Sequence, residues 1–526
     1  MVSLPSLRQT SLTSRKLSVD DSNFDGADDE TTVMEPDQGN VLTHIISQLR
    51  PGADLSRVVL PTFILEPRSM LERITNFMAH PELLLPLPQI EDPIQRFISV
   101  VRFYMSGWHI KPPGVKKPLN PILGETFSCY WQFSDNTKGY YISEQTSHHP
   151  PKSSYFYMIP EHYIRIDGCL KPRSKFLGNS AASLMEGIAV LRFLNRGGSF
   201  KKESYIVTQP NMYARGIIFG KLKFELGDHS FVRCPEHGLS ADIEFKTKGY
   251  FGGAYNNIGG SIKNDRTGEI LYELSGSWSG EMKIKDSKTG KKEVLFNATK
   301  AKHTPPLVRP IEEQGERESN RLWLKTAQAI RERNHELATY EKSKIEDMQR
   351  DEAAKRIEDG VKWHPHLFRP VQAEPGGSEE GLEDLDWILN TNIDGPTPQS
   401  QVDQILAVAP ILPGQKKNHT TSALQQINQL GTCSPPMINS FTKENSLPSL
   451  INIKSGDTNE HQAFNGSQTH KDALVNFQGN KLETRQEPLL GFHREMTKGL
   501  EIRQDSSLRE ADTDTSSLDE FVDAHT

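Results

Sequence analysis

The chain has 526 residues, of which 35% are hydrophobic, 8% aromatic and 25% charged, with a net charge of −7. That length suits one large domain with extensions, or two or three ordinary ones, and the polar composition points to a folded centre with disordered ends. An acidic balance gives no reason to expect nucleic acid as a partner, so any basic site must be local.

Residues 1–40 read as a disordered acidic tail: eight acids and no Lys or Arg fall between positions 19 and 37. The plain reading is a solvated tail, and the sharper one is a segment that repels anionic membrane. Residues 1–16 lack the apolar core of a secretory signal, and no run approaches the ~20 apolar residues of a membrane-spanning helix. Any membrane contact is therefore expected to be peripheral. Residues 41–49 have helical spacing and stop at Arg50-Pro51-Gly52, and residues 60–66 form an apolar extended stretch. Helices are predicted over 69–80 and 93–106.

The middle alternates with period two at 163–167, 221–226, 243–246 and 281–285, with glycine-rich turns between. Many alternating strands without intervening helices give an antiparallel sheet, and a run this long closes most easily as a barrel. The pattern turns helical after about 312, with helices predicted over 319–333 and 338–359 and Gly360 as the C-terminal cap. An apolar island at 404–414 is expected to pack on the domain, and residues from 415 onward are assigned no fold. The expected class is mainly β with α additions.

Signals for an enzyme fail one by one. Gly276-Ser277-Trp278-Ser279-Gly280 has Trp where a hydrolase elbow needs its nucleophile, so it reads as strand and turn. There is no Walker loop and no dinucleotide fingerprint. Adjacent His148 and His149 point to opposite faces of a strand and do not readily share a metal. Cys129, Cys169, Cys234 and Cys433 are scattered without a C-x-x-C pair, which suits a reducing cytosol. Neither an enzyme, a metal nor a cofactor is expected.

The most informative segment is Glu144-Gln145-Thr146-Ser147-His148-His149-Pro150-Pro151. Read by itself it is a strand end stopped by two prolines, with histidines that are either satisfied surface groups or anion ligands. It resembles the E-Q-V-S-H-H-P-P signature of the oxysterol-binding protein-related family, with Thr146 in place of Val. The segment from Lys116-Lys117-Pro118-Leu119-Asn120 to Gly124-Glu125 resembles the family's second signature. Lys342, Glu346 and Arg350, spaced i, i+4 and i+8, match its late Lys-Glu-Arg row. The resemblance runs from about residue 40 to 414. The stretches 60–66, 140–149, 216–220 and 410–414 look like the yeast phosphatidylserine-transferring members.

This resemblance implies a near-complete antiparallel barrel around a lipid tunnel. Residues 41–66 form its lid, residues 67–414 the transfer domain, and residues 415–526 a polar tail. It implies lipid ligands, phosphatidylserine and phosphatidylinositol 4-phosphate, that compete for one tunnel. Lys117, Asn120, His148, His149, Lys342, Glu346 and Arg350 would bind the phosphoinositide. Leu60, Thr62, Phe63, Ile64 and Ser174 would serve the lid and the second lipid. The expected function is exchange of the two lipids between endoplasmic reticulum and plasma membrane by a cytoplasmic, monomeric protein peripheral at contact sites. The alternatives are a sterol/phosphatidylinositol 4-phosphate exchanger, or a lipid sensor or scaffold without net transport.

The physics of the task agrees. Two acyl chains carry roughly 30 methylenes, and exposing them at ~0.8 kcal/mol each costs on the order of 20 kcal/mol. A carrier must enclose both chains, and apolar Leu60, Phe63 and Ile64 suit a lid, although ordinary core packing explains them as well. Cations and imidazoles suit a phosphorylated headgroup. For Lys342, Glu346 and Arg350 alone, plain helix ion pairing is the simpler account.

The C-terminal segment at 519–526 has acids around a phenylalanine and resembles the motif that binds the major sperm protein domain of endoplasmic reticulum receptors. Glu520, Phe521, Asp523 and Ala524 are its core, and Val522 stands where a second aromatic is usual. If the motif works, a receptor domain retains the wild-type chain in a pull-down and loses Phe521→Ala; equal recovery of both rules it out.

Overall fold

The computed structural model describes residues 15–16 and 50–415, apart from 55–60, 113, 199–201, 219–220, 250–252, 373–378 and 380. The predicted helix at 41–49, Leu60 and the motif at 519–526 lie outside the described residues.

Fifteen strands form one sheet. They are Arg15–Lys16 (β1), Thr126–Gln132 (β4), Lys138–His148 (β5), Pro151–Ile159 (β6), Ile164–Phe176 (β7), Ser180–Gly197 (β8), Lys202–Val207 (β9), Asn211–Arg215 (β10), Lys223–Cys234 (β11), Leu239–Lys246 (β12), Asn257–Asn264 (β13), Ile270–Ser277 (β14), Glu281–Asp286 (β15), Lys292–Asn297 (β16) and Leu307–Val308 (β17). From β4 to β8 and from β10 to β16 each strand pairs antiparallel with the next in sequence, and β9 is shared between β8 and β11. Leu65–Ser69 (β2) and Lys117–Leu119 (β3) make a separate parallel pair.

Side-chain alternation explains the curvature. Leu239, Ala241, Ile243 and Phe245 of β12 all turn to one buried face. Phe127 of β4 and Phe296 of β16 stand near opposite ends of the strand order, yet both belong to one core with the helix Pro93–Ser106. The sheet therefore curls round that helix as a near-complete barrel, as expected. The Asp92 carboxylate starts the helix by accepting from Ile94 N at 2.8 Å, with Pro93 preset in the first turn. Phe97, Val100, Val101 and Met105 are buried along its inner face.

One polar contact fixes the helix in the barrel. Arg96 donates from Nε and Nη2 to Glu203 of β9 at 2.6 and 2.7 Å, and Tyr205 OH and His237 Nε2 complete the carboxylate's partners.

A second core lies on the outer face of β5 and β6. Tyr140, Ile142, Phe156 and Met158 are covered there by Ile405, Ile411, Phe368 and Leu389. The apolar island thus packs on the domain through the helix Pro398–Val408 and the turn after it.

Two helix predictions need correction. The stretch 69–80 is α-helical only over Met70–Arg73 and then tightens to a 3-10 helix, Ile74–Met78, ahead of Pro81. The stretch 319–333 breaks at Trp323 into Ser319–Leu322 and Leu324–Arg331. The following helix, His335–Glu358, starts earlier than the periodicity suggested, because Asn334 caps it by accepting from Leu337 N at 3.1 Å. Gly360 ends it with φ of +65°.

Removing one partner of the Arg96–Glu203 pair leaves a buried charge alone. In urea titrations Glu203→Ala should lose about 3–5 kcal/mol of stability. The double variant Arg96→Met, Glu203→Leu should lose less than Glu203→Ala alone; a loss equal to the sum of the single variants contradicts the pairing.

Candidate functional site

A cavity with about 1940 Å³ of atom-free space, part of it open to solvent, enters the barrel between β2–β3 and the sheet. Its walls are mainly apolar: Leu65, Met70, Leu119, Phe176, Met185, Ile217, Leu222 and Phe224. Met70, Met185, Met212 and Phe224 also border a second recess reaching Ile74, Phe77 and Trp108. Flexible methionines at that junction suit an occupant of variable shape.

The mouth is polar, and two sequence motifs build it by binding each other. Gly124 N donates to Gln145 O at 3.0 Å, and Gln145 N donates to Glu125 O at 2.9 Å. The buried Glu125 carboxylate accepts from Ser69 Oγ at 2.5 Å, Ser319 Oγ at 2.6 Å, Trp323 Nε1 at 2.9 Å and Ile122 N at 3.1 Å. Burial pushes its pKa up, while those donors favour the charged form. Glu144 is also structural: its carboxylate accepts from His366 N and Leu367 N at 2.7 and 2.8 Å. Gly124 allows Trp363 close approach, since a Cβ there would lie 2.6 Å from Cη2 of that ring.

On this frame Lys117, Asn120, His148, His149, Lys342 and Glu346 all line the cavity. Lys117 is held at an unusual point. Burial lowers its proton affinity and nearby Lys342 lowers it further, while Asp54 and Glu346 raise it. Lys342 Nζ lies 2.6 Å from Glu346 Oε1. The rings of His148 and His149 meet edge to face at 4.4 Å. Burial, with His149 beside it, pushes the His148 pKa down to about 4. A neutral ring accepts hydrogen bonds, and Asn120 Nδ2 and Gln349 Nε2 lie 3.3 and 3.1 Å from its Nε2.

The other sequence candidates divide between the cavity wall and other positions. Ile64 and Ser174 line the cavity. Phe63 packs beside Phe176 and Ile217, and its ring meets His335 edge to face at 6.1 Å. Thr62 is buried and donates to His335 O at 3.2 Å, so it joins the lid segment to the long helix and does not line the cavity. Arg350 is mostly exposed, pairs with Asp347 and is not among the lining residues. At 100° per residue, i+8 lies 80° round the helix from Lys342, whereas i+7 lies within 20°. Gln349 occupies i+7, and it is the residue that reaches His148. That missed contact was readable from helical geometry.

The family model described as Oxysterol-binding protein matches residues 44–329. Oxysterol-binding protein homolog 7 of Saccharomyces cerevisiae is 53% identical over 381 residues, covering 72% of this chain and 85% of that protein. Homolog 6 of the same yeast is 51% identical over 394 residues, covering 74% and 86%. Oxysterol-binding protein-like protein OBPa of Candida albicans is 51% identical over 419 residues, covering 78% and 95%. The crystal structure of the Osh1 ORD domain in complex with ergosterol matches with a TM-score of 0.58 at 22% identity, covering 76% of this chain and 93% of that one. That likeness bears on the fold.

Nuclear magnetic resonance on the lipid-free protein should show His148 titrating near 4, whereas a value near 6.5 contradicts the burial described. Because folding lowers its proton affinity, His148 withdraws stability as the pH falls from about 6.5 towards 4.

Proposed function

The chain belongs to the oxysterol-binding protein family, and from that premise we propose that it exchanges phosphatidylserine for phosphatidylinositol 4-phosphate between endoplasmic reticulum and plasma membrane. The observation that carries this reading is a single cavity whose apolar wall ends in a cationic, imidazole-rich mouth. Acyl chains occupy the wall. A phosphorylated inositol at the mouth meets Lys117, Lys342, His148 and His149, with Asn120 able to bond a hydroxyl or a phosphate oxygen. Ser174 stands at the same mouth as a contact for the serine headgroup.

Electrostatics favours the more highly charged lipid. Phosphate returns to Lys117 the counter-charge that burial removes, and it raises the proton affinity of His148. Phosphoinositide binding therefore takes up protons and strengthens as the pH falls below neutrality. One cavity serving two lipids makes them competitors, and a phosphoinositide gradient then gives transfer a direction. A cytoplasmic monomer acting at membrane contact sites, with the motif at 519–526 or a separate tether as its address, completes the proposal.

The test is transfer between liposomes with labelled phosphatidylserine, labelled sterol and phosphatidylinositol 4-phosphate. Wild type should move the serine lipid faster when the phosphoinositide is supplied on the opposite liposomes. His148→Ala, His149→Ala should lose about two to four orders of magnitude in phosphoinositide extraction, from charge-assisted bonds worth ~1.5–3 kcal/mol each. Transfer of sterol in place of phosphatidylserine would give the cavity to the sterol alternative, and binding without any transfer would make the protein a sensor.

A further inference from the structure

Lys116, Lys117 and Lys342 all line the cavity, and two of the three amines are committed. Lys116 Nζ donates to Phe63 O at 2.6 Å, and Lys342 Nζ pairs with Glu346 Oε1 at 2.6 Å. Lys117 makes no side-chain hydrogen bond or ion pair among the described residues. Its backbone is held in β3, where it stands opposite Leu65 of β2, with Pro118 next in the chain. The amine therefore faces the cavity from a fixed base.

Its surroundings disfavour charge. Ile64, Leu65, Leu119 and Phe176 line the same space. Burial and the neighbouring Lys342 both oppose protonation, and Asp54 and Glu346 offset them only in part. A lysine taken out of water and set beside a second cation is an activated nucleophile towards carbonyl carbon. Lys344, on the same helix as Lys342, shows the ordinary case. It is exposed, pairs with Glu341 at 3.2 Å and lies 4.1 Å from the centroid of the Tyr340 ring.

We propose that Lys117 is a covalent capture site for long-chain aliphatic aldehydes, the chain lying in the apolar cavity and the carbonyl meeting the amine at its mouth. The inference rests on the lipid-carrier reading above, because the same cavity must take the chain. The neutral amine attacks the carbonyl carbon, so that an N–C bond forms and the C=O π pair moves to oxygen. Both amine protons then pass to that oxygen, which leaves as water when the C=N bond forms. The step consumes no oxidant or reductant, and water reverses it. The imine fills the wall and occupies the amine, so aldehyde and phosphoinositide exclude each other. An aldehyde without a long chain gains nothing from the wall, so the cavity and the amine together select the class.

The test is incubation of the full chain with hexadecanal or propanal and cyanoborohydride at neutral pH, followed by peptide mass spectrometry. The reductant delivers hydride to the imine carbon while nitrogen takes a proton, which fixes the adduct. Burying about four methylenes favours hexadecanal over propanal at Lys117 by about two-hundredfold, the equivalent of ~0.8 kcal/mol each. Hexadecanal should label Lys117 ahead of Lys116 and Lys344, and added phosphatidylinositol 4-phosphate should shield Lys117 but not Lys344. K117R should lose the long-chain adduct, and K344R should form it at Lys117 like wild type. Labelling of Lys117 no faster than of Lys344 overturns the inference, as does equal labelling of Lys117 by the two aldehydes. Phospholipid retained by the purified protein reports on the cavity separately. Retained phospholipid with Lys117 unlabelled overturns this inference alone, whereas no phospholipid and no label overturn it together with the carrier reading.

Discussion

A carboxylate removed from water must be given donors, and Glu125 is given four. Those donors come from three separate parts of the chain: the end of β2, the loop after β3 and the helical turns that precede the long helix. The mouth is assembled by this convergence. β3 brings Lys117 and Asn120, β5 brings the two histidines through the Gly124–Gln145 backbone pairing, and the long helix brings Lys342 and Glu346. Each of these groups is ordinary on its own strand or helix. Their meeting over one apolar cavity is what sets them at a common mouth.

The site is built to accept charge. Lys117 is buried beside a second cation, and His148 is pushed towards neutrality. Glu346 pairs with Lys342. An incoming phosphate relieves the first two conditions and competes for the third. A zwitterionic or weakly polar headgroup relieves little, so the same wall can hold another lipid with a smaller electrostatic gain. The proposed competition between unequal ligands rests on that difference.

Much of this was legible in the sequence, for physical reasons that differ by element. β12 sits with one face on the core, so its period-two pattern was plain. β5 and β6 are buried on both faces, by the barrel core and by the C-terminal segment, and read as continuous apolar runs that alternation cannot identify. Helix 93–106 carried its own cap and start proline, whereas the stretch from 69 tightened into 3-10 geometry that periodicity does not distinguish. Lys117 and the histidines were singled out through motif resemblance, and the fold sets them on the wall of one cavity. Glu125 and Glu144 sat within those motifs, but burial and backbone donors, which only the fold reveals, make them braces. Thr62 and Arg350 matched the resemblance and yet face His335 and Asp347 here.

The central claim is one cavity that holds one lipid at a time. Native mass spectrometry of the full chain, titrated with phosphatidylserine and then with phosphatidylinositol 4-phosphate, reads that stoichiometry directly. The account predicts a single bound lipid at every ratio, with the phosphoinositide replacing the serine lipid mole for mole. A complex carrying both lipids together, or a protein that holds neither, would contradict it.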